Sequence, residues 1–352
     1  MTPGTPPQRI ARSRAEREGA PRRYTSVMQA AEALDDVEFL AFDVDVERQR
    51  LLLLRLDASQ RAQAAFLDKR LLHEASQFAW APLSAVRAAR SQRTPDFIFH
   101  IGHCGSTLLA RLLQSWPHTQ VLREPQALRT LAAWRQHDAV AVDALLPGFG
   151  ALWMQDPAGR DATVVKATSS CNALAAPLLS ALPESRALLM DMPLRSYLAT
   201  VFKSQAALQD VAGAWPSRAA ELARHGIDVA REVADGDTAI ACAAGWLAEQ
   251  LRFESLQREA GDARGLRLDF EDLLTEPRET LQRVAAHLGF EATYVDAALT
   301  SPAWQRYSKA TDHAYDAADR RHDLALAERR FGALIDRGEA WVSQQRARLG
   351  AR

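Results

Sequence analysis

Short apolar runs alternate with helical periods from residue 96 onward. Five runs have strand length and few polar residues: FIFHIG, QVLRE, TVVKA, RALLMD and GLRLDF. Apolar residues recur at helical spacing between them, and a longer helical block follows; these patterns lie at about 106–115, 125–136, 138–153, 173–181, 194–206 and 215–259. Because continuously apolar strands alternate with helices, the pattern predicts a parallel sheet that is covered on both faces.

The chain before residue 96 follows other patterns. Residues 1–25 combine Pro, Gly and mixed charges with little to bury, which predicts a disordered tail. Residues 26–95 predict a small α/β region, in which VEFLAFDVD and RQRLLLLRLD are strands and ASQRAQAAFLDKRLL is a helix. We therefore predict one large domain over 96–352, whose stretch from about 320 to 349 is a charged amphipathic helix.

Composition excludes several classes of protein. Apolar residues make up 47% of the chain and charged residues 25%, as in ordinary globular proteins. Lys and Arg number 43 against 44 Asp and Glu, so no nucleic-acid partner is expected. The three cysteines (Cys104, Cys171 and Cys242) form no CxxC pair, and neither an apolar leader nor a membrane-length apolar stretch is seen. We expect a cytoplasmic protein without a membrane span.

The segment GHCGSTLLARLL joins the first predicted strand of the large domain to a helix. Gly102 and Gly105 permit a tight turn and a close backbone approach to a ligand. The helix start near Ser106 offers unpaired N–H groups and the positive end of a dipole, which favour an anion. A Walker A loop would have a lysine after Gly105, and this segment has none.

GHCGSTLLARLL resembles the phosphosulfate loop of the sulfotransferases, which is a base followed by Ser-Gly-Thr-Thr. The resemblance places Cys104, Gly105, Ser106 and Thr107 after the base and puts the base itself on His103. It implies a P-loop-type three-layer α/β sandwich with a parallel central sheet and a small N-terminal addition. It also implies that the 102–107 loop binds the sulfuryl donor PAPS (3′-phosphoadenosine 5′-phosphosulfate), with His103 stabilising charge and no metal required.

The segment WPHTQVLREPQAL matches a second family feature, a glutamate behind the second strand that serves as general base. The resemblance assigns this role to Glu124. A carboxylate at the carboxyl end of a neighbouring strand faces the same crevice as the loop. The structural alternative is that Glu124 pairs with Arg123, with Arg129 or with a helix N-terminus.

The segment RALLMDMPLRSYLATVFKS resembles the 3′-phosphate site of the family, where an arginine ends a strand and a serine follows on a helix. Here Thr200 takes the serine position and Met192 the arginine position; a shift by one residue puts Asp191 there instead. The family arginine is therefore replaced, and Arg195 is our candidate for its charge, against the alternative of a surface arginine.

Two further lysines are assigned to the donor site by resemblance. Lys166 ends the strand TVVK where related proteins carry a lysine; the alternative is that it only caps a strand edge. Lys309 belongs to RYSKATDHAYD, which resembles a loop that closes over the nucleotide; the alternative is a solvated loop. The segment LRLDFEDLLTEPRETLQRVAAHLGF closely resembles a late structural segment of the family. His100, His103 and Cys104 lack zinc-ligand spacing, so we predict no metal site.

These features predict an enzyme that transfers a sulfuryl group from PAPS to a hydroxyl or amine of a small-molecule, peptide or carbohydrate acceptor. Two alternatives stay open. One is a divergent kinase that uses ATP or GTP, for which Asp191 is the evident magnesium ligand. The other is a non-catalytic protein that has kept the fold, which the replacement of the family arginine favours. The oligomeric state is also open.

Overall fold

The computed structural model describes residues 30–351 except 74–76, 231, 232, 234 and 306–316. The N-terminal region forms an antiparallel sheet in the order β1-β2-β3, made of β1 (Phe39–Asp45), β2 (Arg50–Arg55) and β3 (Phe78–Pro82). The helices of this region are α1 (Ala30–Asp35), α2 (Ala58–Gln63) and α3 (Leu83–Ala88). The two strands predicted here are present, whereas β3 was not predicted because its run FAWAP is short and ends in proline.

The helix predicted over ASQRAQAAFLDKRLL is wrong in its second half. Helix α2 ends at Gln63, and a 3₁₀ turn follows only at Lys69–His73. The Arg123 guanidinium donates to the carbonyls of Ala62 and Ala64, at 2.6 and 3.1 Å. The N–H of Leu67 donates to the carbonyl of Arg123 at 2.7 Å. These tertiary bonds hold the segment in a non-helical path against the large sheet, and they override its helical propensity.

The chain from residue 96 onward is built on the predicted parallel sheet. Its five strands are β4 (Asp96–His100), β5 (Thr119–Arg123), β6 (Ala162–Lys166), β7 (Ala187–Asp191) and β8 (Gly265–Asp269), in the order β5-β6-β4-β7-β8. Every strand pairing is parallel, and β5 and β7 are buried at each residue. The fold is therefore an α/β sandwich whose central sheet is covered on both faces.

The strand order creates a switch point at β4. From β4 the chain crosses over β6 to form β5, and it later returns to form β7 on the other side of β4. In open parallel sheets, ligands bind outside the carboxyl ends of the strands at such a point. Residues 101–105, which follow β4, lie at this position.

Helices occupy most of the remaining chain. They are α4 (Ser106–Leu113), α5 (Gln126–Arg135), α6 (Ala139–Asp143), α7 (Leu146–Trp153), α8 (Ala175–Ala181), α9 (Leu194–Phe202), α10 (Gln205–Gly213), α11 (Trp215–Arg224), α12 (Thr238–Ala260), α13 (Phe270–Thr275), α14 (Pro277–Leu288), α15 (Tyr294–Leu299) and α16 (Ala317–Gly350), with 3₁₀ turns at Ser169–Leu174 and Pro302–Gln305. The predicted helical block 215–259 is divided into α11 and α12, with left-handed glycines at 226 and 236 between them. No helix in the described part of the chain has the length and apolar character to cross a membrane.

A buried ionic network lies beneath the turn after β4. Glu249 of α12 accepts hydrogen bonds from Arg218 at 3.0 Å, Arg252 at 2.7 Å and Asn172 at 2.9 Å. Arg218 also donates to the carbonyl of Ile101 at 3.1 Å, and Asn172 to the carbonyl of His100 at 2.9 Å. The carboxylate of Glu249 thus connects two helices to the end of β4.

We predict that Glu249→Ala destabilises the protein by about 3–5 kcal/mol, because it leaves the buried Arg218 without its counter-ion. Chemical denaturation with a two-state fit measures this loss. The matched control is Asp296→Ala, which breaks an exposed pair with Arg278 and should cost at most about 1 kcal/mol. Equal costs for the two variants would contradict a structural role for the network.

Candidate active site

A cavity of about 620 Å³ opens at the carboxyl ends of the parallel strands. Its volume lies within the range of small-molecule sites, about 300–1,000 Å³. Its described lining residues include five Lys and Arg side chains and two carboxylates: Arg70, Arg129, Lys166, Lys203 and Arg320 against Glu124 and Asp210. The cavity therefore has a local excess of positive charge, although the whole chain has a formal net charge of −1.

The glycine turn forms one wall of this cavity. Gly102, His103 and Gly105 have left-handed backbones, with φ of 91°, 54° and 73°. A succession of right- and left-handed residues directs backbone N–H groups into an anion-binding concavity. Helix α4 follows immediately. The N–H groups of Ser106 and Thr107 belong to its first turn, so they have no hydrogen-bond acceptor within the helix. Gly102, His103, Gly105, Ser106 and Thr107 all line the cavity, whereas Cys104 is not among the described lining residues.

Gly105 is fixed by close packing as well as by its backbone conformation. A Cβ atom added at Gly105 would lie 2.0 Å from the ring of Phe270. Since real Cβ atoms do not approach so closely, only glycine fits at this position. The guanidinium of Arg320 lies over the ring of Phe270, 4.8 Å from the ring centroid. The loop is therefore supported by an aromatic side chain on the side where β8 ends.

Two side chains of the loop have different surroundings. The His103 ring lies at the cavity wall with Nε2 3.2 Å from a carboxylate oxygen of Asp210 on α10. The Cys104 side chain is fully buried, and its Sγ donates to the carbonyl of Met190 at 3.3 Å. Burial raises the pKa of the Cys104 thiol to about 12, so the thiol is protonated at neutral pH. Cys104 can therefore contribute to ligand binding through its backbone alone.

Glu124 follows β5 and faces the same cavity. Its backbone is left-handed at φ 53°, and its N–H donates to the carbonyl of Lys166 at 2.7 Å. One carboxylate oxygen accepts from Lys166 Nζ at 2.6 Å, and the other accepts from Arg129 Nη2 at 2.8 Å. The ion pair with Arg129, one of the structural alternatives considered from the sequence, is thus present. Arg123 instead binds the carbonyls of Ala62 and Ala64.

His100 connects this ion pair to the loop. Its Nδ1 accepts from the N–H of Gly102 at 3.1 Å, which places the ring proton on Nε2, 2.9 Å from the carbonyl of Ala167. Lys166 Nζ lies 3.2 Å from the same Nε2. Glu124, Lys166, His100 and the loop thus form one continuous series of contacts along the cavity wall.

A second group of polar side chains in the cavity comes from α9 and α16. Thr200 of α9 lines the cavity, and its hydroxyl donates to the carbonyl of Ser196 at 2.8 Å. Lys203 follows one turn later and pairs with Asp323 at 2.8 Å. Arg320 of α16 makes a two-bond pair with Glu271, at 2.7 and 3.0 Å. Apolar residues around them include Phe270, Leu274, Trp304 and Leu324.

The structure places three other sequence candidates elsewhere. Arg195 is absent from the described lining of the cavity, since it pairs with Glu328, Asp336 and Glu339 on α16. Asp191 binds Arg267 and accepts from Gln250 at 3.1 Å, while Met192 is buried in the core. This geometry provides no support for Arg195 as a phosphate ligand. Lys309, with its neighbours Tyr307 and Ser308, lies outside the described residues.

Several lining residues were not predicted from the sequence: Phe66, Arg70, His100, Arg129, Lys203 and Arg320. Of these residues, only His100 could have been placed in the site from the local sequence, because it ends the strand directly before the glycine turn. The others come from separate elements that tertiary structure brings together. Among the described residues, no group of three or more His, Cys, Asp or Glu side chains is arranged to hold a metal ion.

The solved structures to which this chain is similar include several sulfotransferases. The sulfotransferase domain from the curacin biosynthetic pathway has a TM-score of 0.42 and 13% identity, over 72% of this chain and 99% of that one. Sulfotransferase STF1 from Mycobacterium tuberculosis H37Rv has a TM-score of 0.37 and 16% identity, over 78% and 82%. Mouse sulfotransferase SULT7A1 complexed with PAP has a TM-score of 0.36 and 10% identity, over 72% and 86%.

No protein-family model matches the chain, and no curated protein matches its sequence. The family of these structures is the one that the sequence motifs resemble. At TM-scores of 0.36–0.42 and 10–16% identity, these similarities assign no role to any residue of this chain. The roles of individual residues must therefore be judged from the cavity itself.

We predict that Gly105→Ala destabilises the protein by about 1–3 kcal/mol through overpacking against Phe270, in addition to about 1–2 kcal/mol for a left-handed alanine. Gly159→Ala is the matched control, because Gly159 is also left-handed at φ 67° and an added Cβ would meet nothing within 4 Å. Urea denaturation of both variants isolates the packing contribution. Equal losses would show that Phe270 does not support the loop.

Proposed function

We propose that this protein transfers a sulfuryl group from PAPS to a hydroxyl or amine acceptor. The observation that carries the proposal is the shared cavity, in which an anion-binding loop, five cations and a single well-held glutamate meet at the strand switch point. Fold similarity to sulfotransferases agrees with this assignment without identifying the residues. The chemistry must therefore come from the side chains described above.

The donor would lie across the loop. Backbone N–H groups from His103 to Thr107 would bind the 5′-phosphosulfate, as such groups bind phosphates at helix N-termini, while the N–H of Gly102 donates to His100. Phe270 and Trp304 would provide apolar surface for the adenine. Lys203 and Arg320, with the Thr200 hydroxyl, would then bind the 3′-phosphate in place of the missing family arginine. The charge that the local motif lacks is supplied by α16 and the end of α9.

The reaction would need one proton acceptor and no redox change. The acceptor oxygen or nitrogen attacks sulfur, the bond between sulfur and the bridging phosphate oxygen breaks, and PAP leaves with the electron pair. Glu124 would take the acceptor proton, while the loop N–H groups, His103 and Lys166 would stabilise charge on the transferred group and the leaving oxygen. Positioning would supply most of the remaining acceleration, as in phosphoryl transfer.

The two ion pairs of Glu124 leave it able to act as a base. A carboxylate has about four lone-pair sites, and Lys166 and Arg129 occupy one on each oxygen. The remaining sites can accept a hydrogen bond from an acceptor hydroxyl. The two cations also hold the carboxylate in one orientation, which favours a fixed attack geometry.

The two alternative functions are less well supported by the site. A kinase would use Asp191 for magnesium, but this carboxylate is bound to Arg267 and Gln250 and lies outside the described cavity lining. A non-catalytic protein would not need a glutamate held by two cations next to an anion-binding loop. The site therefore favours sulfuryl transfer.

We predict that Glu124→Gln lowers transfer by about 10²- to 10⁴-fold while PAP binding is retained. Steady-state transfer to an acceptor found by screening, and calorimetric titration with PAP, measure the two effects. Because Glu124→Gln leaves the buried Lys166 without its counter-ion, the double variant Glu124→Gln/Lys166→Met serves as a control for folding, compared by chemical denaturation and not by turnover, since Lys166 has its own role in the mechanism. Full turnover by Glu124→Gln would refute the base assignment.

We predict that PAP at a hundredfold excess over its Kd stabilises the protein by about 2.7 kcal/mol relative to the unliganded protein, and that 5′-AMP, ATP and GTP at the same concentration stabilise it less. Lys203→Met and Arg320→Met should each weaken PAP binding about tenfold and leave 5′-AMP binding unchanged, since 5′-AMP has no 3′-phosphate. Arg195→Met tests the sequence-based candidate and should leave both ligands unaffected.

Weaker PAP binding by Arg195→Met, with unchanged PAP binding by Lys203→Met and Arg320→Met, would assign the 3′-phosphate to Arg195 instead. Stabilisation by ATP or GTP alone would support the kinase alternative. No response to any nucleotide would support the non-catalytic alternative.

A further inference from the structure

The side chains around Glu124 include an aromatic ring and two arginines to which the proposed donor site gives no role. The Phe66 ring lies here, with the Arg70 guanidinium 4.8 Å and Lys166 Nζ 5.9 Å from its centroid. Arg129 adjoins them through its bond to Glu124. Lys203 and Arg320 come from other elements, the end of α9 and α16, and the Arg320 guanidinium lies 4.8 Å from the ring centroid of Phe270. The cations of the cavity thus form two groups, one around Phe66 and Glu124 and one supplied by α9 and α16.

Phe66 is rigidly placed on this wall. The N–H of Leu67 donates to the carbonyl of Arg123 at 2.7 Å, and the N–H of Gln126 donates to the carbonyl of Leu67 at 2.9 Å. These two bonds tie the segment to the end of β5 on either side of Glu124. An aromatic surface is therefore held next to the proposed base.

Arg70 and Arg129 retain hydrogen-bond donors after their intramolecular pairs are formed. A guanidinium has five N–H donors. Arg70 uses two of them on Asp68, and its side chain is 66% exposed. Arg129 uses one on Glu124, is 39% exposed, and has a buried Nε–H with no hydrogen-bond partner. The N–H donors that these pairs leave unused on the exposed parts of the two guanidinium groups can donate to a ligand oxygen.

We infer that the acceptor carries an oxyanion, a carboxylate or a phosphate-like group, which Arg70 and Arg129 bind while its apolar part lies on Phe66 and its hydroxyl reaches Glu124. This inference rests on the proposed sulfuryl transfer and adds the chemical class of the acceptor. The planar guanidinium fork matches an oxyanion with two parallel bonds, which gives orientation as well as attraction. Ser169 and Ser170 line the cavity too and add hydroxyl groups for a polar acceptor.

The test measures acceptor binding to the PAP-loaded protein by ligand-observed NMR and calorimetry. The probes are 4-hydroxyphenylacetate, 4-hydroxybenzylphosphonate and methyl 4-hydroxyphenylacetate, with 10-hydroxydecanoate and its methyl ester as an aliphatic pair. At least one anionic probe should bind about tenfold or more tightly than its neutral ester. Preference for the carboxylate or for the phosphonate then identifies the kind of oxyanion.

The variants Arg70→Gln and Arg129→Gln should each reduce this anion preference about tenfold, with PAP affinity unchanged. Arg48→Gln is the matched control, because Arg48 is equally exposed at 66% and also pairs with a nearby aspartate, Asp45, but lies outside the cavity. It should leave the preference unchanged. The ratio of acid to ester binding is the readout because Arg129 also orients Glu124.

Equal binding of acids and esters to the PAP-loaded protein would overturn the inference, and so would a preference that survives both variants. In either case the proposed sulfuryl transfer would stand. Failure of PAP itself to bind would instead refute the proposed function. The two failures are therefore distinguishable in one set of titrations.

Discussion

The whole site depends on the loop after β4, and the buried carboxylate of Glu249 stabilises this loop from the side away from the cavity. Glu249 accepts hydrogen bonds from Arg218 and Asn172. These two side chains in turn donate to the carbonyl oxygens of Ile101 and His100 at the end of β4. Since the carbonyl side of the turn is engaged below, its N–H side can face the cavity. Phe270 then excludes any side chain at Gly105. The loop keeps its anion-binding shape because both of these supports come from other elements.

Two non-glycine residues next to the cavity have left-handed backbones, His103 and Glu124. Such conformations cost about 1–3 kcal/mol each and persist where surrounding structure enforces them. For Glu124 the enforcing contacts are visible: its N–H bonds to the carbonyl of Lys166, and its carboxylate bonds to Lys166 and Arg129. The strain falls on two of the three side chains, His103 and Glu124 but not Lys166, to which the proposed mechanism gives chemical roles.

The central sheet was predictable because its strands are buried on both faces and appear as short apolar runs. All five predicted strands are present, and the loop and Glu124 meet at one sheet edge, as parallel topology requires. Predictions failed where long-range contacts decide the outcome. The helix over 58–72 is interrupted because Arg123, far along the chain, binds its carbonyls. Arg195 seemed suitable by local spacing, but α16 supplies three carboxylates that hold it elsewhere.

The replacement of a motif arginine need not remove the charge from a site. In this cavity the five cations come from five elements distant in sequence. Three of them are held by a carboxylate outside the cavity lining: Asp68 for Arg70, Asp323 for Lys203, and Glu271 for Arg320. These carboxylates are not among the described lining residues, so the positive side chains line the cavity while their partners hold them in position. Because each guanidinium or ammonium has more donors than its partner occupies, an arriving anion can bind without breaking the pair. A site built in this way has its cations positioned before the ligand binds, which lowers the entropy cost of recognising a highly charged donor.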